Sequence, residues 1–362
     1  MVPSTFSKLK SWKAGTACPL KLLWAGDPPL APHASAKLGD IVHNVMEAAG
    51  FNLDSDSAMR LWNQKSMEVD TKLRENPVTR GLSPLSLSAR NYEVRRLMTI
   101  RMACSLHRAS SVAARTTRTD RDYPLKEKFL QSFDGLIRGR VDLVEYRAGG
   151  WVLVDYKSGD VTEIDDDGNS KIKESYKYQL LLYAFLLKEA ENIMVQKAVL
   201  KTIDGKEHEV EIDSTLADEV AFQARQLLKE FNSAVVGSEP ERLGLPLPSD
   251  RANNVFGCLD CLYRPKCSAY RGAKRISTDE KHWPLDAIGK ICKIIPHPKK
   301  TRIVIQMPDE SQQVIVEISN SIDRHTILHE LQSGEPVGIF DYIRGRSVNY
   351  GGSRTCIYKM DN

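Results

Sequence analysis

Apolar and polar residues follow one another along this chain in blocks of changing period. From Ala36 to Gly50 the residues Leu38, Ile41, Val42, Val45 and Met46 recur at i, i+3, i+4, i+7 and i+8. That spacing lays one stripe along a helix, and Gly50 suits its C-terminal cap. Further helices are expected around Ala58–Leu73 and Leu85–Arg108. Phe129–Ile137, Gly139–Tyr146 and Trp151–Tyr156 then read as successive strands, the last two joined by Arg147-Ala148-Gly149-Gly150. A strongly apolar helix follows at Tyr176–Ala190. After it come a strand (Lys197–Thr202), a glycine turn, a strand (His208–Ile212) and a helix (Leu216–Ser233). The Pro-rich stretch Ser238–Pro248 reads as a connector.

Beyond about Ser277 the pattern becomes mainly strands. These are expected at Ala287–Ile295, Thr301–Met307 and Gln313–Ser319, followed by a helix at His325–Gln332 and strands at Pro336–Ile343 and Thr355–Lys359. The order β-β-β-α-β-β is that of an OB-fold, although other small barrels share it. The expected architecture is therefore α/β: a mixed sheet flanked by helices over residues 1–274, and an OB-like barrel over residues 277–362.

Composition narrows the setting. The chain has 362 residues, 41% hydrophobic and 27% charged, with a net charge of +4. That balance is compatible with nucleic acid as partner without arguing for it. No apolar run is long enough to span a bilayer, and Met1–Lys13 is followed by no apolar block of a secretory signal. A cytoplasmic protein without membrane contact is expected. Seven cysteines, an odd number, argue against a disulfide framework in that setting. Cys258, Cys261 and Cys267 supply three thiolates within ten residues, which points to metal or cluster ligation. Cys18, Cys104, Cys292 and Cys356 are the candidates for a fourth, and four thiolates serve zinc as well as a four-iron cluster.

The strands carry the candidate chemistry. Asp155 lies thirteen positions after Asp142, and Lys157 shares a strand face with Asp155. Trp151-Val152-Leu153-Val154 ahead of them is apolar on both faces, the mark of a central strand. An acid and a lysine leaving such a strand together are costly as plain core. They make sense against a divalent cation, Mg²⁺ or Mn²⁺, bound by carboxylates from adjacent strands. Alone, each of these residues also reads as a surface acid or a solvated lysine. His43 lies just outside the apolar stripe of its helix, and Tyr176, Gln179 and Tyr183 share one helical face at i, i+3 and i+7.

Taken in order, these segments resemble the motifs of RecB-like PD-(D/E)XK nucleases. Leu38-Gly39-Asp40-Ile41-Val42-His43 is similar to the first, Gly139-Arg140-Val141-Asp142 to the second and Val154-Asp155-Tyr156-Lys157 to the third. Gln179-Leu180-Leu181-Leu182-Tyr183 resembles the closing Gln-x-x-x-Tyr helix. The resemblance implies a restriction-endonuclease-like fold and a DNA nuclease acting on single strands or ends. It also implies metal binding by His43, Asp142 and Asp155, a catalytic Lys157, and support from Gln179 and Tyr183. Glu127 matches an acid that some members carry, whereas the third motif lacks the family's proline. Cys18-Pro19 resembles the N-terminal motif of the iron–sulfur branch, which includes AddB-type and CRISPR spacer-acquisition nucleases. That likeness implies a [4Fe–4S] cluster held by Cys18, Cys258, Cys261 and Cys267, with zinc as the alternative.

Arg108, Arg115, Arg118 and Arg121 form a polar stretch that reads equally as a phosphate-contacting segment and as a solvated loop. Lys299, Lys300 and Arg302, and then Arg344, Arg346 and Tyr350, occupy two loops of the barrel, which could meet single-stranded nucleic acid or protein. The sequence has no G-x-x-x-x-G-K-[ST] phosphate loop, so unwinding would fall to a separate helicase partner. The rival to an enzyme is a catalytically silent DNA-binding subunit that keeps the fold as scaffold.

Overall fold

The computed structural model describes residues 6–13, 18, 28–49, 53–113, 124–147, 149–165, 167–235, 258, 261–268, 270–272, 283–308, 312–320 and 325–360. Five strands form the central sheet: β1 (Leu125–Gln131), β2 (Arg138–Arg147), β3 (Gly150–Lys157), β6 (Val195–Thr202) and β7 (Glu207–Glu211), ordered β1-β2-β3-β6-β7. A small hairpin of β4 (Thr162–Ile164) and β5 (Ser170–Ile172) lies between β3 and β6 in sequence. β3 and β6 run parallel and the other sheet pairs antiparallel, so the sheet is mixed.

Helices cover both faces. On one lie α2 (Ala34–Ala49), α3 (Ser55–Glu75), α4 (Leu85–Ser88) and α5 (Tyr92–Ala113). Leu38, Ile41, Val42 and Val45 of α2 and Trp62 of α3 pack there with Val152, Val154 and Tyr156 of β3. On the other lie α6 (Glu174–Glu191) and α7 (Ser214–Val235), whose Leu180, Leu181, Ala217 and Val220 meet Val141, Val144 and Leu153. The expected stripe of α2 is thus the buried one, and β3 is the central strand. Burying an aliphatic side chain of this size contributes about 1.5–3 kcal/mol. α1 (Phe6–Lys13) rests on this second layer, with the Phe6 ring edge-on to Tyr178 at 5.1 Å.

Several expected elements are corrected. The strand expected at Phe129–Ile137 ends at Gln131, because Ser132 and Asp134 bond locally. The Ser132 N–H donates to the Ile137 carbonyl at 2.8 Å, and Gly135 takes a φ of +69°. The helix expected over Leu85–Arg108 is broken into α4 and α5, with Asn91 at φ +60° between them. α1 and the β4–β5 hairpin, too short for a clear period, were not anticipated.

The remaining strands, β8 (Ala287–Pro296), β9 (Lys300–Gln306), β10 (Gln313–Ser319), β11 (Pro336–Ile343) and β12 (Asn349–Lys359), close a barrel in the order β10-β12-β11-β8-β9. β10 and β12 are parallel, the pairing that gives an OB-like connectivity. Ile291, Ile303, Ile305, Val316, Ile318 and Ile339 fill it. The helix expected at His325–Gln332 is a 3₁₀ segment, Thr326–Glu330, and the last strand begins at Asn349 rather than Thr355. Ser238–Pro248 lies outside the described residues, and no helix among those described is long and apolar enough to cross a membrane.

Candidate active site

Three strands bring their acids to one place. β2 and β3 are in register with Leu143 opposite Val154, and one step further sets Asp142 opposite Asp155. There the Tyr156 N–H donates to Asp142 Oδ2 at 2.7 Å. On the other side of β2, Lys126 pairs with Leu143 and Lys128 with Val141, so Glu127 falls opposite Asp142. Glu127 has a φ of +47°, a left-handed conformation that costs a non-glycine residue roughly 1–2 kcal/mol.

Lys157 Nζ stands 2.7 Å from Asp155 Oδ2 and donates to Gln179 Oε1 at 3.0 Å. Gln179 Nε2 in turn donates to the Tyr183 hydroxyl at 2.9 Å, and Lys157 Nζ lies 4.7 Å from the centre of the Tyr176 ring. The shared face of α6 is therefore the wall that holds the lysine. Gly139 is required by the same wall: a Cβ there would stand 2.5 Å from Tyr183 Cε1. From the opposite layer, His43 of α2 is exposed, and its charge acts on both Asp142 and Asp155.

The carboxyl groups sit uneasily as anions. Burial pushes Asp155 up to about 6, against the pull of Lys157 and with the repulsion of Asp142. Burial raises Asp142 too, opposed by the Tyr156 N–H and by His43. Glu127 is pushed up to about 7 by burial, then by Asp142 and Glu47. Asp155 Oδ2 is buried, and the Lys157 ammonium 2.7 Å away is its partner. Converging acids whose carboxylates raise one another suit a hard divalent cation, whose charge would reverse the repulsion. Among the described residues no three His, Cys, Asp or Glu side chains are already drawn into ligating geometry.

A family model, the PD-(D/E)XK nuclease superfamily, matches residues 11–268. The chain belongs to the PD-(D/E)XK nuclease superfamily. No curated protein matches it. Among solved structures, that of a "putative exonuclease" from Eubacterium rectale is similar over 56% of this chain and 85% of that one. Their identity is 11% and the TM-score 0.24, a likeness that bears no weight on its own.

In this nuclease the strand period and motif order lead to His43, Asp142, Asp155, Lys157, Gln179 and Tyr183, and the fold brings them together around the end of β3, with His43 acting from α2 and Gln179 and Tyr183 from α6. Glu47 was missed. It lies one turn after His43, and Arg140 Nη1 stands 3.8 Å from both Glu47 and Glu127. The i, i+4 spacing from His43 was the available signal.

Cys18, Cys258 and Cys267 belong to one buried cluster with Tyr270, Trp283, Ile288, Phe340 and Met360. Burial pushes the Cys258 thiol up to about 12, helped by the nearness of Cys261, Cys18 and Cys267. Cys356 packs against this same cluster from the barrel, whereas Cys104 packs against the layer of α2 and α3 and Cys292 is exposed. Arg264, with a fully buried side chain, ties the cysteine loop to the barrel. It donates to the Cys261 carbonyl at 2.8 Å and to Asp286 Oδ2 at 2.8 Å, and is paired also with Asp341.

Arg115, Arg118 and Arg121 lie outside the described residues, as does the side chain of Arg108. In the barrel, Glu317 engages both Lys300 and Arg302, the latter at 2.6 Å, so those cations are partly neutralised. Tyr350 is half exposed beside the loop of Arg344 and Arg346, where a Cβ on Gly345 would meet its ring at 2.5 Å.

Proposed function

We propose that this nuclease is a divalent-cation-dependent deoxyribonuclease that hydrolyses phosphodiester bonds in single-stranded DNA or at DNA ends. The observation that carries the reading is the convergence of Asp142 with the buried Asp155, whose oxygen has the Lys157 ammonium 2.7 Å away. His43, Asp142 and Asp155 would hold Mg²⁺ or Mn²⁺, which when bound supplies Lewis acidity toward a phosphate and toward water. Lys157 orients the attacking water and offers positive charge to the phosphorane-like oxygens that develop negative charge. Gln179 and Tyr183 keep the ammonium aimed, since its bond to Gln179 Oε1 leaves it little freedom to swing to solvent. Product strands would carry a 5′-phosphate and a 3′-hydroxyl.

The RecB-like iron–sulfur branch fits the cysteines. Cys18, Cys258 and Cys267 share one buried cluster and Cys261 lies near enough to act on Cys258; these donors would suit a [4Fe–4S] group, and zinc would suit them too. The group would staple Cys18 to the loop of Cys258, Cys261 and Cys267, closing residues 1–274 as one nuclease unit beside the barrel of 277–362. A separate helicase would supply unwinding.

The test is incubation of the purified chain with end-labelled single- and double-stranded DNA, with Mn²⁺ or with chelator. Mn²⁺-dependent shortening of the single strand, leaving 3′-hydroxyl ends, is expected. Absence of cleavage under all metals would refute the reading.

A further inference from the structure

The sheet edge continues outward from the acids, and its next residues change character. Beyond the Glu127–Asp142 position the register pairs Phe129 with Arg140 and then Gln131 with Arg138; these alternate with Leu130, Val141 and Gly139 of the α6 layer and so lie on the α2 side of the sheet, where Glu47 stands. Pairs two residues apart on a strand are about 7 Å apart. Phe129 is 55% exposed, although it stands on a strand whose inward side chain Leu130 is 1% exposed. An uncovered ring one step from buried carboxylates gains nothing for the core. Arg140 leans back 3.8 Å from Glu47 and Glu127, a loose pairing with more than half its side chain open to solvent. The arrangement is an aromatic face flanked by two guanidinium groups, leading directly away from the acids.

We propose that Phe129, Arg140 and Arg138 seat the unpaired nucleotides next to the scissile phosphate: the base stacks on Phe129 and the neighbouring phosphates meet the two arginines. This rests on the nuclease reading and gives it a substrate class, a single strand or a frayed end. Every base has a π-face, so stacking there is indifferent to sequence, while a paired base inside a duplex cannot reach the ring. Phosphate contacts alone would not distinguish single strands from duplex. The ring is what makes the distinction. Arg140 has a second effect, since engaging a phosphate draws it from Glu47 and Glu127 and leaves their charge to the cation site.

The experiment uses the full chain carrying Lys157→Ala, which binds without cutting, and a single-stranded oligonucleotide with 2-aminopurine along its length. Its fluorescence is expected to be quenched on binding. Phe129→Ala and Phe129→Leu should each abolish most of the quench and weaken single-strand binding about 5- to 150-fold, while blunt-duplex binding stays unchanged. Phe129→Trp should restore both. Arg138→Ala should lower the salt dependence by about one counterion without touching the quench. Equal affinity and equal quench in Phe129→Ala, with an unchanged melting curve, would overturn the proposal while leaving the nuclease reading intact. Loss of affinity for single strand and duplex alike would also overturn it. If the Lys157→Ala parent bound no DNA at all, both would fall.

Discussion

Replacing Lys157 by methionine removes an ammonium 2.7 Å from a carboxylate that is 2% exposed. Breaking a buried ion pair commonly costs about 3–5 kcal/mol, because the surviving charge stays buried and alone. Here the survivor has an escape. Burial already holds Asp155 up at about 6 in the presence of Lys157, so without it the acid takes a proton near neutral pH. The added cost of protonating it at pH 7 is one unit of pKa, about 1 kcal/mol. The lost bond to Gln179 adds about 1 kcal/mol, giving about 2 kcal/mol in all. The sign follows from a folded pKa raised above the unfolded one: the acid favours folding least at high pH. The penalty should therefore be small at pH 6 and grow as pH rises toward 8. Urea unfolding of both proteins at pH 6, 7 and 8 measures it, and cleavage should fall about 10²–10⁴-fold. A penalty of the full 3–5 kcal/mol that does not change with pH would refute the reasoning, as would retained turnover.

Other consequences are equally direct. Gly139→Ala drives a methyl into the Tyr183 ring and should cost about 1–3 kcal/mol, read as a lower melting temperature; adding Tyr183→Leu should recover much of it. Arg264→Met strips the buried Asp286 of its cation and leaves Asp341 with Arg354 alone, with an expected loss of about 3–5 kcal/mol in denaturant unfolding. Mn²⁺ affinity by calorimetry should rise between pH 6 and pH 8, since protons on Asp155 (about 6) and Glu127 (about 7) compete with the cation. Protein purified without oxygen should be brown, with about four irons per chain; a colourless protein with one zinc would exchange the cluster for the alternative metal.

The parts of the site visible in the sequence are those set by local period. Asp155 and Lys157 must share a face because a strand repeats every two residues, and Tyr176, Gln179 and Tyr183 must line up because a helix repeats every 3.6. Both hold. Glu47 and Arg140 were invisible as partners because their meeting depends on how α2 crosses the β1–β2 edge, a tertiary fact. Glu127 could be read as an acid near the motif, but its left-handed backbone follows from the packing of β1. Arg264 carries no mark in the sequence. Its burial among the cysteine loop, Asp286 and Asp341 exists only once barrel and nuclease layers have met. The barrel was legible in its strand order, whereas the 3₁₀ segment replacing its helix was set by closure rather than by pattern.

The central claim is that Asp142, Asp155 and Lys157 act together on a phosphodiester. It is tested most directly by following an end-labelled single strand with Mn²⁺ and either the native chain or Asp155→Asn, which keeps shape and loses charge. The native chain should shorten the strand and the variant should leave it whole. Equal cleavage by the two would contradict the account.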